Sequence, residues 1–238
     1  KAIADFMEGK KSDIMMYEMD KPDVLLWAVW CIQQYSRLIG AEAAIEKYGK
    51  LVDKIVSFIL QGKHCNLDVH DNGLLSINGR ERAMTWMNSE INGKPVVPRS
   101  GYVVEINALW YNALMFNAEM LMSTGRSAEA GKYTQQAELT GRTFKEVFLN
   151  EHGYLLDYVD EGYISWSVRP NMLIASSLEY SPLSTPERKR IFDICTKELL
   201  TPKGMRSLSP KSGGYNPIYQ GGQTQRDAAY HQGTVWPW

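Results

Sequence analysis

Between Met84 and Leu114 the chain reads MTWMNSEINGKPVVPRSGYVVEINALWYNAL. Two indoles (Trp86, Trp110), side-chain amides including Asn88 and Asn107, the Arg99 guanidinium and the carboxylates of Glu90 and Glu105 stand around one long loop that runs into an apolar helix. This is the furniture of a sugar pocket: aromatic faces pack on the ring while a few placed polar groups orient it. Trp86, beside Asn88 in the loop, is suited to a stacking wall. Trp27, Trp30 and Trp110 lie in apolar helical runs and read equally well as core, the preferred reading for Trp30.

Composition narrows the partners. The 238 residues are 44% hydrophobic with a net charge of −1, enough to bury a sizeable core and without the basic footprint that nucleic acid requires. A small neutral partner is expected, with no nucleic acid and no membrane. Cys31, Cys65 and Cys195 form an odd, widely spaced set without a CxxC pair, which points to free thiols in a reducing compartment and not to a disulfide framework or a cysteine metal site. No apolar run approaches the ~20 residues needed to cross a bilayer, and neither a signal nor a transit peptide is visible. The chain is expected to be truncated at both ends, as it lacks an initiator Met and stops at Trp238 just as an apolar run begins.

The elements that must hold such a pocket are helices in pairs. Residues 22–39 are apolar around most of the circumference, with Asp20 opening the helix, Pro22 just inside and Gly40 closing it. Residues 41–61 carry one apolar stripe and one wet face. The alternation repeats at 103–122 and 129–148, split by Gly125, and at 170–179 and 186–200, the last with Thr185 as N-cap and Pro186 in the first turn. Connections within pairs are short, whereas 62–102, 149–169 and 201–233 far exceed the usual loop of about 4–6 residues. Every long loop leaves an amphipathic helix and enters a buried one, so all of them fall at one end of the array. This is an all-α (α/α)6 toroid of helical hairpins, present as about half of its six pairs, with almost no β-sheet beyond short strands in the long loops. Residues 1–238 are read as part of a single such domain.

The ordered motifs DVLLWAVWCIQQY (23–35), TWMN (85–88), Pro98–Arg99, VEINALWYNAL (104–114), SVRPN (167–171), SPL (181–183), TPKGMRSLSP (201–210) and YQGGQTQRDAAYHQGTVWPW (219–238) resemble the amylo-α-1,6-glucosidase domain of glycogen debranching enzymes. The resemblance covers the chain from about residue 20 onward and, more distantly, extends to trehalases and related α-glucosidases on the same barrel. It implies a cytoplasmic, inverting glycoside hydrolase, without metal or organic cofactor, acting on α-1,6-linked glucosyl stubs of glycogen-like α-glucans. Such enzymes need a carboxylic acid to protonate the leaving oxygen and a carboxylate base to activate water. By resemblance the acid position is Asn88, where the family has Asp, and the base is a Glu beyond Trp238. Glu90 is the local candidate for a substitute acid, although a solvated loop carboxylate is the preferred reading of it.

The same resemblance assigns substrate binding to Asp23, Trp27, Trp86, Arg99, Glu105, Asn107, Trp110, Arg169, Asn171, Arg226, Asp227, His231 and Trp236. Asp23 could instead complement a helix dipole, and Arg169 could pair structurally with Asp157 or Asp160. His64, His70 and His152 lack ligand-like spacing and are expected at the surface. GGYNPIYQGG (213–222) follows no strand and carries no Lys-Ser/Thr, so it is a poor phosphate loop. Asp23, Trp86, Asn88, Glu105, Arg169, Asn171 and His231 are expected to converge on one cleft. A noncatalytic carbohydrate-binding relative, a glycan phosphorylase and an α-glucosidase of other linkage remain alternatives.

Overall fold

A computed structural model describes residues 2–10 and 19–237; Trp238, the last residue of the final motif, lies outside them. The helices are α1 (Ala2–Met7), α2 (Pro22–Ile39), α3 (Ala41–Leu60), α4 (Val104–Ser123), α5 (Ser127–Phe148), α6 (Asn171–Ser177), α7 (Thr185–Leu199) and α8 (Gln223–Tyr230). α2 with α3, α4 with α5 and α6 with α7 form hairpins, as the alternation of buried and amphipathic runs requires. α4 is the hub and packs on α2, α3, α5 and α6. Its residues are buried almost all round, from Val104 through Trp110 to Leu121. Asn112 bonds across the hub: its side chain donates to Gln33 on α2 (2.8 Å) and accepts the amide of Tyr180 beyond α6 (3.2 Å).

Three local expectations are corrected. The N-cap position of α2 is Lys21, and Asp20 instead accepts two bonds from the Arg82 guanidinium, a pairing that holds its carboxyl below the usual range. The N-cap of α7 is Ser184, one residue earlier than expected, because Ser184 closes a capping box with Glu187. α2 is not buried on most sides: Trp27 and Trp30 are half-buried in edge contact at 5.6 Å, while Tyr35 and Leu38 are exposed. The α2 hairpin closes as expected at Gly40, whose φ of 90° suits glycine.

The long connections carry short antiparallel strands of two or three residues. β1 (Asp68–Val69), β2 (Leu75–Ile77), β5 (Gly101–Val103), β6 (Tyr158–Asp160) and β7 (Tyr163–Ile164) form one sheet in that order. β10 (Val235–Trp236), β9 (Gly204–Arg206) and β8 (Leu200–Thr201) form a second, and β3 (Glu90–Ile91) pairs with β4 (Lys94–Pro95). In the larger sheet Tyr102 stands opposite Ser76 on one side and Val159 on the other. β5 runs directly into α4, and the amide of Val104 donates to the carbonyl of Asp157 (3.1 Å), which brings the second long loop to the start of the hub helix. No helix among the described residues is long and apolar enough to cross a membrane.

Candidate active site

Three helices, one from each hairpin, begin at the same end, and each carries a polar residue in its first turn: Asp23 on α2, Glu105 on α4 and Asn171 on α6. Trp86 joins two of them. Its backbone amide donates to Asp23 Oδ2 (2.9 Å), and its indole Nε1 donates to Asn171 Oδ1 (3.1 Å). Asn171 Nδ2 then donates to Asp157 Oδ1 (2.7 Å). Asp157 and Glu105 both receive Arg99, with Nε to Asp157 Oδ2 at 3.0 Å, Nη2 to Glu105 Oε2 at 2.6 Å, and a short Nη1 bond to Glu105 Oε1. Arg169 stands next to this pair. Its Nε is 3.7 Å from Asp157, and its guanidinium donates to the carbonyls of His231 (2.5 Å) and Ser207 (3.2 Å) and to Gln232 Oε1 (2.7 Å). Asp23, Trp86, Glu105, Arg169 and Asn171, together with the backbone carbonyl of His231, thus bring five segments into one cluster, with Asp157 at its centre.

The two arginines offset the charges of Glu105 and Asp157, so a third ionised carboxylate is unbalanced. Asp23 is that third group. Burial first, and then the nearby Glu105 charge, push its carboxyl up to about 6. Burial alone would lower Arg99, but the Asp157 and Glu105 carboxylates outweigh it and hold the guanidinium above its ordinary value. Arg169, desolvated and facing Arg99, falls to about 10. Burial, reinforced by Arg169 and Arg99, pushes His231 down to about 3, so its imidazole is neutral at ordinary pH.

In front of this cluster lies an aromatic cavity of about 350 Å³, lined by Trp86, Asn88, Tyr230, His231, Trp236 and Pro237. Its rings brace one another: Trp86 meets His231 edge-on at 5.2 Å, Tyr230 meets His231 at 4.5 Å, and Tyr230 meets Trp236 at 4.8 Å. Trp236 is fixed by its Nε1, which donates to Thr234 Oγ1 and to the Tyr230 carbonyl. Asn88 is exposed at the rim, and it and Tyr230 also line an adjoining cavity of about 400 Å³ with Ser89, Glu90, Tyr219, Gln223 and Asp227. The Ser89 hydroxyl donates to the Asp227 carbonyl (2.6 Å), tying the Asn88 loop to α8. Glu90 Oε1 is engaged by the amide of Ala83 (2.8 Å).

Several expected substrate contacts are instead internal. Arg99 and Glu105 are buried in their mutual ion pair, so the structure gives them to the scaffold behind the cavity. Asn107 is enclosed and bonds to Leu75 N and O and to the Val103 carbonyl, pinning β2 to α4. Trp110 is fully buried core, and Trp27 packs on Trp30 away from both cavities. Arg226 turns to Gly221 and Gln223 beside it, whereas Asp227 lines the second cavity. Arg169 makes the structural contact with Asp157 that the alternative reading named. Of the histidines expected at the surface, His70 and His152 are exposed, but His64 is buried and pushed down to about 4 by desolvation. Sequence reasoning passed over Asp157, Tyr219 and Tyr230; Tyr230 adjoined His231 in a motif already noted, while Asp157 was visible only as a possible partner of Arg169. Among the described residues no group of three or more His, Cys, Asp or Glu side chains could hold a metal ion.

The family model described as amylo-alpha-1,6-glucosidase matches residues 13–238. The chain is also similar to the glycogen debranching enzyme of Saccharomyces cerevisiae, with 27% identity over an alignment that covers 76% of this chain. The chain spans 15% of the length of that relative.

Proposed function

The chain belongs to the amylo-alpha-1,6-glucosidase family, and from that premise we propose that it supplies the glucose-binding end of an α-1,6-glucosidase site on an (α/α)6 toroid, acting on single-glucose stubs of glycogen-like α-glucans with inversion. The observation that carries this reading is the aromatic cavity with Asn88 at its rim. A neutral pyranose suits it: Trp86, Tyr230 and Trp236 offer ring faces and edges to C–H groups, while Asn88 offers an amide donor and acceptor to hydroxyls. The cluster behind the cavity holds Trp86 through both its nitrogens, so the stacking wall is built before substrate arrives.

The chemistry turns on Asn88. Protonation of the glycosidic oxygen requires an acid, and a carboxamide can donate a hydrogen bond there but cannot release its proton. The carboxylates lining the two cavities are Glu90 and Asp227. In this reading Glu90 is the substitute acid, two residues along the same loop. Asn88 itself favours a second reading, a carbohydrate-binding relative that kept the pocket and lost the acid. The test is glucose release from a phosphorylase limit dextrin by the complete protein. Release abolished by Glu90→Gln supports the first reading; binding of the dextrin without release supports the second. Turnover that depends on added phosphate would point to a phosphorylase and overturn both.

A further inference from the structure

Away from the aromatic cavity, the large sheet carries a groove of about 410 Å³ that none of the motifs had marked, within the size range of small-ligand sites. Its floor is backbone. Gly101, at φ 72°, runs so close to the next strand that a Cβ there would lie 2.3 Å from the Val159 carbonyl oxygen. Its walls are a chain of polar groups with a defined direction. Asn72 Oδ1 accepts the amide of Leu74 (3.0 Å), which leaves Asn72 Nδ2 to donate to the Tyr102 hydroxyl (3.1 Å). Tyr102 Oη in turn lies 2.8 Å from His70 Nδ1, and His70 Nε2 lies 3.0 Å from Ser76 Oγ. With Asn72 donating, the consistent order runs from Tyr102 O–H to His70 Nδ1 and from His70 Nε2–H to Ser76 Oγ. The Ser76 hydroxyl proton is then available to a ligand, and the imidazole is not placed to take it as a base.

Opposite this chain, Arg80 donates two hydrogen bonds to Asp160, from Nε to Oδ2 and from Nη2 to Oδ1, both at 3.0 Å, and lies 3.3 Å from Glu161. That geometry decides the ligand class. Arg80, Asp160 and Glu161 together carry a net −1, so phosphate or carboxylate groups meet repulsion. An ordered fork, a hydroxyl donor and the edge of Tyr102 instead match a neutral polyol. We propose that this groove is a second oligosaccharide-binding site, gripping an α-glucan chain through Ser76, Arg80, Tyr102 and Asp160. The choice of glucan among neutral saccharides rests on the family reading, whereas the polyol class rests on the groove's own side chains.

Calorimetric titration of the chain with maltoheptaose tests it, using Ser76→Ala/Arg80→Ala for the groove and Tyr230→Ala for the aromatic cavity. Thermal melting of each variant serves as the folding control. The expected result is that the groove variant weakens maltoheptaose binding at least about tenfold at one class of site and leaves the signal lost in Tyr230→Ala intact. If the groove variant melts like the wild type and titrates like it, the proposal is overturned, whatever Tyr230→Ala does. Loss in the groove variant alone supports the groove and counts against the aromatic cavity as a sugar site. Saturable binding of inorganic phosphate that Arg80→Ala removes, with maltoheptaose unaffected, overturns the polyol assignment. A Ser76→Thr/Arg80→Lys variant, which keeps a hydroxyl and a positive charge, recovers part of the affinity if hydrogen bonding to the ligand is the cause.

Discussion

The buried ionic cluster and the aromatic cavity in front of it draw on the same motifs but are built in opposite ways. In the cluster, Arg99, Glu105, Asp157 and Asn171 bond to one another, and nothing is left facing outward. In the cavity, Asn88, Tyr230 and Trp236 are exposed or half-buried, with ring faces and an amide turned to open space. A charged residue in these motifs can therefore serve the cavity at one remove: it fixes the residues that line it. The comparison separates substitutions that unfold the protein from substitutions that empty its pocket.

The largest effect falls on the cluster. Arg99→Met leaves Glu105 buried without its cation and Asp157 with Arg169 alone, and breaking such a buried pair costs about 3–5 kcal/mol. Urea unfolding followed by tryptophan fluorescence should show that loss, with sugar binding lost only because the fold is lost. A variant that stays stable while losing affinity for maltooligosaccharides would put Arg99 in the pocket and break the comparison.

Next comes the rim. With Glu90 as the proposed acid, Glu90→Gln in the complete protein should lower glucose release from limit dextrin by about 10²–10⁴-fold, the usual worth of acid–base assistance, with little change in melting temperature, while Asn88→Asp leaves the rate unchanged. A rise of that size in Asn88→Asp, with Glu90→Gln as fast as the wild type, would overturn Glu90 as the acid.

Protonation sharpens the contrast within the cluster. Asp23 is raised to about 6, so ionising it opposes folding: its contribution is fully present below about 4 and is lost as pH rises through about 6, a cost of about 3 kcal/mol. His231 is lowered to about 3, so its contribution is present above about 6.5 and is lost as pH falls toward 3. Between pH 4 and 6 the two oppose each other. Asp23→Asn should therefore leave a stability that climbs with pH through this window, whereas His231→Gln should leave one that declines. Urea midpoints at pH 4, 5, 6 and 7 read the slopes, and two variants with parallel curves would contradict the assignment.

The smallest effect belongs to the cavity wall. Trp236→Ala should weaken maltooligosaccharide binding about tenfold, or about 1.4 kcal/mol, while costing less stability than any change in the cluster. Equal losses of stability in Trp236→Ala and Arg99→Met would erase the distinction between the two regions.

The helical hairpins and their boundaries were legible in periodicity, because burial on one stripe or on all sides is a local pattern that 3.6-residue spacing displays directly. Where local choices compete, reading was less secure. Ser184 took the cap expected of Thr185 because Glu187 lies three residues on from Ser184, and Asp20 was drawn away by Arg82, which is distant in sequence. The exposed face of α2 shows the same limit, since apolar residues prescribe that a surface be covered and not what covers it.

By itself the sequence determined the helical class, the long loops gathered at one end, and the family membership that the ordered motifs spell out. Tertiary structure decided which members of those motifs face the open cavity. Arg99, Glu105 and Asn107 stand in the same motif run as Trp86 and Asn88, yet they are enclosed, because Asp157 and Leu75 arrive from other segments to satisfy them. A charged or amide side chain has the same letter whether it meets a sugar hydroxyl or a buried partner. Only the folded positions of those partners, tens of residues away, determine which bond it makes.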